Sequence, residues 1–241
     1  MMNKSQIFSP YQTRRAFQEV AEEIKHAILA ERFKAGDRLP SERSLAQQFQ
    51  VGRLTIREAL RTLETKGLIK IRYGRDGGAY VGVADPEAIP SMIIDNLQLE
   101  GLTGTQMTEA RIGLETTIVA SAITHATSKD LDRIAENIED SKEIIGPENA
   151  KDVVSAMIDF HILLGEASHN LPFILFIRTL MEWARRKLVS WVPTVEEQLY
   201  SYRSHKKIFE SIKGKDVDSA QSRMKDHIIR ISALVTSEQQ P

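Results

Sequence analysis

The sequence predicts a mostly α-helical protein built from two parts of different character. Apolar residues recur at spacings of three and four along most of the chain, the pattern of amphipathic helices. The exception is residues 68–83, where two short apolar runs flank a glycine-rich turn and predict a β-hairpin. Pro86 and Pro90 follow this hairpin and predict a linker over residues 85–90. The remainder of the chain is predicted to be entirely helical.

The distribution of charge changes at the same linker. The 241 residues contain 32 lysines and arginines and 33 aspartates and glutamates, a net charge of -1. Residues 1–84 hold 15 of the basic and 9 of the acidic side chains, which leaves 17 and 24 for residues 85–241. The first part is therefore at +6 and the second at -7. This asymmetry indicates an anionic partner for the first part, with chance variation in surface charge as the alternative.

Several classes of protein are not expected from this composition. The chain has no cysteine, which excludes disulfides and thiolate metal sites. No apolar run approaches the ~20 residues of a membrane span, and the first residues lack a signal-peptide core, so a soluble cytoplasmic protein is expected. The glycine, histidine and serine motifs of common nucleotide-binding and hydrolytic enzymes are missing from the sequence. An enzyme is therefore not expected.

Three helices precede the hairpin in the first part. The predicted helices cover residues 13–30, 42–49 and 53–66, and the predicted strands cover residues 68–73 and 79–83. Ser41 is a suitable N-cap for the second helix, and Gly67 ends the third. The turn at residues 50–52 has the length found in helix-turn-helix motifs. Residues 1–84 are therefore predicted to form a winged helix-turn-helix.

Polar residues of the third helix lie away from its apolar stripe. They are Arg53, Thr55, Arg57 and Arg61. In a helix-turn-helix the equivalent helix lies in the major groove, with its N-terminal residues nearest the base edges. Guanidinium groups suit guanine edges and phosphate oxygens. The pattern predicts contacts with double-stranded DNA, and an exposed arginine-rich helix that binds nothing is the alternative.

The string LPSER.LA..F.V.R.TIREAL..LE..GLI.......GGAYV resembles the winged helix-turn-helix of GntR-family bacterial regulators. With the polar residues of the third helix, the resemblance implies that the DNA-binding residues are Arg43, Arg53, Thr55, Arg57, Arg61, Tyr73 and Gly74. The sequence departs from the family at two contact positions. Leu54 stands where Thr, Pro or Ser is usual, and Tyr73 stands where some members have a base-reading histidine. The operator sequence therefore cannot be copied from a relative.

Residues 91–236 are predicted to form an antiparallel all-α bundle of six or seven helices. Glycines, prolines and capping residues divide them into helices near residues 87–99, 104–126, 128–145, 149–169, 172–190, 194–213 and 216–235. The segments EARIGLE (109–115), DFHILLGEASHN (159–170) and SHKKIFESIKGKDVDSAQSRMKDHI (204–228) resemble the FCD ligand-binding domain of the FadR subfamily. The resemblance implies an effector-binding and dimerisation domain, and hence a homodimer that binds a carboxylate-type metabolite.

The resemblance also implies a divalent metal held by one Asp and three His. The histidine positions match His161, His205 and His227, but the aspartate position, one helical turn before the first histidine, is Met157. Asp159 lies about 200° round the helix from His161 and should point elsewhere. Three alternatives remain: a three-histidine site for Zn, Ni or Mn, a site with another oxygen donor, or no metal and histidines that hydrogen-bond in a cavity.

Arg111 has two interpretations from the sequence. It falls on the arginine of the family's R..lE pattern, where it could bind an effector carboxylate. It could equally form an ion pair with Glu115 at i+4. The candidate effector-binding residues are therefore Arg111, His161, His205 and His227. The remaining histidines, His26, His125 and His169, are expected at the surface or at helix ends.

Together these expectations predict a ligand-responsive bacterial transcription regulator. The family implies a repressor that releases DNA when a small organic acid or related metabolite binds. The alternative is an effector-independent DNA-binding protein whose bundle only dimerises.

Overall fold

The computed structural model of the chain describes residues 13–74, 76–82, 86–188 and 191–237. The chain divides into two compact units, Met1–Asp85 and Pro86–Pro241. Within the described part of the chain, no helix is long and apolar enough to cross a membrane.

The first unit is a winged helix-turn-helix, as the sequence predicts. Its elements are α1 (Thr13–Leu29), α2 (Glu42–Phe49), α3 (Arg53–Thr65), β1 (Ile69–Arg72) and β2 (Gly78–Val81). The strands pair antiparallel, from Ile69 opposite Val81 to Arg72 opposite Gly78. The core consists of apolar side chains from all three helices and both strands, among them Val20, Ile24, Leu45, Ile56, Leu60, Leu63, Ile69 and Val81.

Local signals in the sequence explain most of these boundaries. The Ser41 hydroxyl accepts a hydrogen bond from the Ser44 amide at 3.2 Å and caps α2. Gly67 has a φ of +71°, the left-handed conformation that follows many helices. Both strands are shorter than predicted. The loop before α2 also pairs with β2, since the Leu39 amide donates to the Ala79 carbonyl at 2.8 Å. The sequence reading had treated this loop only as a connection.

The second unit is all-helical. Its elements are α4 (Ala88–Leu99), α5 (Gly104–His125), α6 (Ser128–Glu143), α7 (Ala150–Ala167), α8 (Leu171–Leu188), α9 (Val195–Lys213) and α10 (Val217–Ser237). Their bounds lie within two residues of the predicted ones. Three helices begin with a capping box, at Thr103, Thr127 and Thr194. Helix α4 begins inside the predicted linker 85–90, because a proline such as Pro90 is tolerated in a first turn.

The core of the second unit lies where α5, α7, α9 and α10 face one another. Helix α10 packs on α5 and α9, α7 packs on α6 and α8, and α4 packs on α8. Helices α7 and α8 approach closely at Gly165, where an added Cβ would lie 2.5 Å from Cγ2 of Ile177. This close packing brings the inner faces of α7 and α8 together beside the buried histidines.

Candidate DNA interface and candidate histidine centre

The candidate DNA-binding residues all belong to the first unit and lie at its surface. Arg43, Arg53, Arg57 and Arg61 are exposed and Thr55 is half-buried. On the opposite face of α3, Ile56, Ala59, Leu60 and Leu63 are buried. The apolar stripe thus fixes α3 in the core and directs its arginines outwards.

Glu42 joins α2 to the arginines of α3. It accepts two hydrogen bonds from Arg57, at 3.0 Å from Nη2 and 3.3 Å from Nε, and lies 3.9 Å from Nη2 of Arg53. These contacts lower the pKa of Glu42, with the Arg57 hydrogen bonds as the largest cause. Arg61 is paired with Glu58 at 3.1 Å. Three of the candidate arginines therefore have carboxylate partners that phosphate oxygens would replace on DNA.

The wing presents an exposed aromatic side chain. Tyr73 is 90% exposed, and Gly74, with a φ of +99°, forms the turn that follows it. Behind the turn, the guanidinium of Arg72 lies 4.4 Å from the centre of the Tyr80 ring. Arg38, from the loop before α2, donates a hydrogen bond to the Gly77 carbonyl. These contacts hold the wing while leaving Tyr73 free at its tip.

The three candidate metal-ligating histidines meet in the core of the second unit. His161 comes from α7, His205 from α9 and His227 from α10, and their ligand nitrogens all lie within 4.8 Å of one another. Nε2 of His205 lies 3.2 Å from Nε2 of His227. Two nitrogens bound to one tetrahedral Zn²⁺ at ~2.0–2.1 Å would lie about 3.3 Å apart, so the His205–His227 pair has the spacing of such a site.

The environment of these histidines favours the form that binds metals. Burial lowers the pKa of His205 and of His227 well below the ordinary value, and neighbouring positive groups lower both further. The imidazoles of His205 and His227 are therefore neutral, as metal ligands must be. Phe160 stacks on the His205 ring with centroids 4.0 Å apart and fixes its orientation.

The carboxylate ligand expected for the family is missing from this centre. Met157 lies one turn before His161, is buried, and lines a small cavity together with His161 and His227. Asp159 points away, as expected, and forms an ion pair with Arg185 at 3.7 Å. Within the described residues, the group able to hold a metal consists of the three histidines alone. The donor set fits a three-histidine site with an open position for water or a ligand oxygen.

A buried carboxylate nevertheless supports the centre from α5. Nε of Arg111 donates to Oε1 of Glu115 at 2.7 Å, and Oε2 of Glu115 contacts Nδ1 of His161. Burial opposes ionisation of Glu115, but the charges of Arg111 and His161 outweigh it and lower the pKa to about 2. The contact favours a proton on Nδ1 of His161, which leaves Nε2 for a metal. Sequence spacing predicted the pair with Arg111 but not the contact with His161, which depends on how α5 packs on α7.

Two adjoining cavities lie beside the histidines. The inner cavity, of about 30 Å³, is bordered by Met157, His161 and His227 and has room for only one or two water molecules. The outer cavity, of about 530 Å³, has the size of a small-molecule site. Four residues line both, namely Arg111, Ala184, Leu188 and Ile231. Arg111 thus forms an ion pair and also faces both cavities, so its two sequence interpretations are compatible.

Several other residues of these cavities carry no signal in the sequence. The inner cavity also includes Trp191 and Ser201, and the outer one includes Trp183 and Lys187. They lie outside the quoted family segments, and nothing in their spacing marks them. The remaining histidines are peripheral as expected: His125 bonds to the Ser121 carbonyl at 2.9 Å and His169 to Asp130 at 2.8 Å.

Comparisons with known proteins match both units. Residues 16–81 match the family described as bacterial regulatory proteins, gntR family, and residues 106–230 match the FCD domain. The HTH-type transcriptional repressor NanR of Enterobacter sp. (strain 638) is 31% identical over 218 residues, 89% of this chain and 83% of that protein. The protein of the same name from Escherichia coli (strain K12) is 30% identical over 232 residues, 93% and 86% of the two chains. A structure titled Streptococcus agalactiae GntR shares the fold, with a TM-score of 0.71 and 24% identity over 90% of this chain and 99% of that one.

Proposed function

Because this chain belongs to the gntR family of bacterial regulatory proteins and carries an FCD domain, we propose that it represses transcription and releases its operator when a small organic acid or related metabolite binds. Ligand-responsive, DNA-binding regulation of transcription is the function of this family. The two relatives named as repressors support the direction of the response. Operator binding places its action in the cytoplasm. The observation that carries the proposal is the buried histidine centre beside a cavity of about 530 Å³.

In this proposal α3 reads the operator. Arg53, Arg57 and Arg61 bind guanine edges or phosphates, and Thr55 adds a hydroxyl contact. Arg43, from α2, binds the backbone beside the groove. Tyr73 and Gly74 contact DNA from the wing. The exposure of these side chains supports the assignment.

The active form in this proposal is a homodimer that binds two operator half-sites. Support comes from the second unit, where α4 packs on α8 and both carry exposed apolar side chains. The exposed residues are Ile89, Met92, Leu97, Leu99 and Phe176. An apolar surface of this kind marks a protein interface.

One divalent metal per chain, Zn, Ni or Mn, is held in this proposal by His161, His205 and His227. Such an ion supplies a Lewis-acidic position for an effector oxygen. The chain's own contribution is a buried imidazole cluster with an ionised Glu115 behind it. Arg111 provides a positive charge where an effector carboxylate would enter.

The first test is metal content and operator release in the same preparations. Plasma mass spectrometry compares the metal content of untagged protein, His227→Ala and the control His125→Ala. Operator fragments are obtained separately by genomic selection. We expect about one metal per chain, lost only in His227→Ala, and release of fluorescent operator DNA by organic acids. Operator affinity unaffected by every acid in a metabolite library would instead support the effector-independent alternative.

A further inference from the structure

Several buried polar atoms at the inner cavity lack hydrogen-bond partners, among them Nδ1 of His227 and two donors outside the histidine cluster. Nε1 of Trp191 and Oγ of Ser201 have none among the residues that the structure describes. The residues are only 6% and 1% exposed, and both line the inner cavity. A buried donor left unpaired is costly, so native proteins almost always satisfy such groups. Unpaired donors at one cavity are positions where a ligand oxygen or an ordered water accepts a hydrogen bond.

The surrounding charges indicate the chemistry of that ligand. Arg111 supplies a cation, and the one nearby carboxylate, Glu115, is already engaged by Arg111 and His161. Met157 stands where the family resemblance implies an aspartate, so an entering anion meets no carboxylate at this position. Donors, a cation and a metal-competent histidine cluster together suit an oxyanion.

The sizes of the cavities indicate how the ligand is oriented. A space of about 30 Å³ accepts only the end of a molecule. The neighbouring space of about 530 Å³ accepts the rest. Since Arg111 lines both, its guanidinium lies where the two spaces adjoin.

We propose that Trp191 and Ser201 select the effector by donating hydrogen bonds to a terminal carboxylate in the inner cavity, while the body of the effector lies in the outer cavity. This inference rests on the proposed effector function of the second unit, and it assigns that function to residues that the family motifs do not mark. Trp191 and Ser201 act here as binding residues in their own right, beside the histidines.

The two tryptophans of the chain provide separate reporters. Trp183 lines the outer cavity and Trp191 the inner one. In Trp183→Phe protein, Trp191 is therefore the only indole. We expect acetate to change its emission saturably, and acetamide, which has the same shape without the charge, to bind at least tenfold more weakly. Citrate should bind more tightly than acetate because it also fills the outer cavity.

The decisive variants are Trp191→Phe, which keeps an aromatic ring but removes the N–H, and Ser201→Ala. Each should weaken citrate binding about tenfold or more by calorimetry, because hydrogen bonds to a charged group are strong ones. The matched control is Ser141→Ala, a buried serine whose hydroxyl donates to Ile138 at 2.7 Å and does not line either cavity. Citrate affinity should not change in this control.

Thermal melting separates binding from a merely structural role. Without ligand, Ser201→Ala should melt at or above the native temperature because its hydroxyl has no partner to lose, whereas Ser141→Ala should melt lower. With citrate, native protein should gain stability and Ser201→Ala should gain less. A ligand-free Ser201→Ala that melts as low as Ser141→Ala would contradict an unpaired hydroxyl and overturn the inference.

The other outcomes also distinguish the inference from the proposed function. Equal citrate affinity in native protein, Trp191→Phe and Ser201→Ala overturns the inference, even where acids still release the operator. Equal binding of acetate and acetamide, or no binding of acetate and citrate, also overturns it. Carboxylate binding that depends on both residues but never changes operator affinity supports the inference and contradicts the proposed function.

Discussion

Replacing Glu115 by glutamine tests whether this carboxylate supports the histidine centre in place of the missing aspartate. The variant keeps the side-chain shape but removes the charge that faces Arg111 at 2.7 Å and contacts His161. Both side chains of the ion pair are almost fully buried. Two separate effects are expected: a loss of stability, because Arg111 remains charged, and a loss of metal affinity, because His161 loses an anionic partner.

The magnitudes of these effects follow from the burial. Breaking a buried ion pair from one side costs about 3–5 kcal/mol, of which glutamine should recover part by accepting the Arg111 hydrogen bond. Loss of a carboxylate behind a ligating histidine costs about 10–100-fold in metal affinity. The double variant Arg111→Gln/Glu115→Gln removes both charges, so it should regain much of the stability but keep the low affinity.

Urea unfolding in the presence of EDTA measures the first effect, and zinc competition against a chromophoric chelator measures the second. The double variant is decisive because it separates the effect on stability from the effect on zinc affinity. Native zinc affinity in the double variant would refute the role given to Glu115. If zinc affinity and stability rise together from Glu115→Gln to the double variant, Glu115 acts on the metal only by stabilising the fold.

Three further predictions concern the metal and the operator. Met157→Asp should raise zinc affinity by adding a fourth ligand, and should weaken citrate binding by adding a negative charge. Unchanged zinc and citrate affinities would place residue 157 away from the ion. Arg53→Ala should lower the salt slope of operator affinity by about one unit in anisotropy titrations, whereas Arg185→Ala in the second unit should leave it unchanged. Leu54 is 69% exposed on α3 and is expected to contact a thymine methyl group. Deoxyuridine at that position should weaken native protein about fourfold, from ~0.8 kcal/mol for one methyl, and should not affect Leu54→Ser.

The helices were predictable because their signals are local. The capping boxes at Thr103, Thr127 and Thr194 each depend on residues three apart. The histidine centre was predictable only through the family resemblance, since His161, His205 and His227 come from three helices. Nothing in their spacing requires those helices to meet.

Contacts between distant elements were beyond the sequence reading. Glu42 of α2 binds Arg57, which belongs to α3, and no spacing in the sequence marks this contact. Trp191 and Ser201 gave no signal because an unpaired donor can be recognised only when the surrounding residues are placed. The unpredicted features of the site are therefore those that depend on packing between helices.

Helix α8 connects the cavities to the start of the second unit. One face supplies Ala184 and Leu188 to both cavities. From another face Arg186 pairs with Asp95 and donates to Oγ of Ser91 at 2.6 Å, so α8 holds α4. An effector can change operator affinity only if it binds two arrangements of the protein with different strength. Helix α4 begins at Ala88, directly after the boundary between the units, so the chain joins the first unit to this helix. A shift of α8 on effector binding would therefore move the helix to which the first unit is connected.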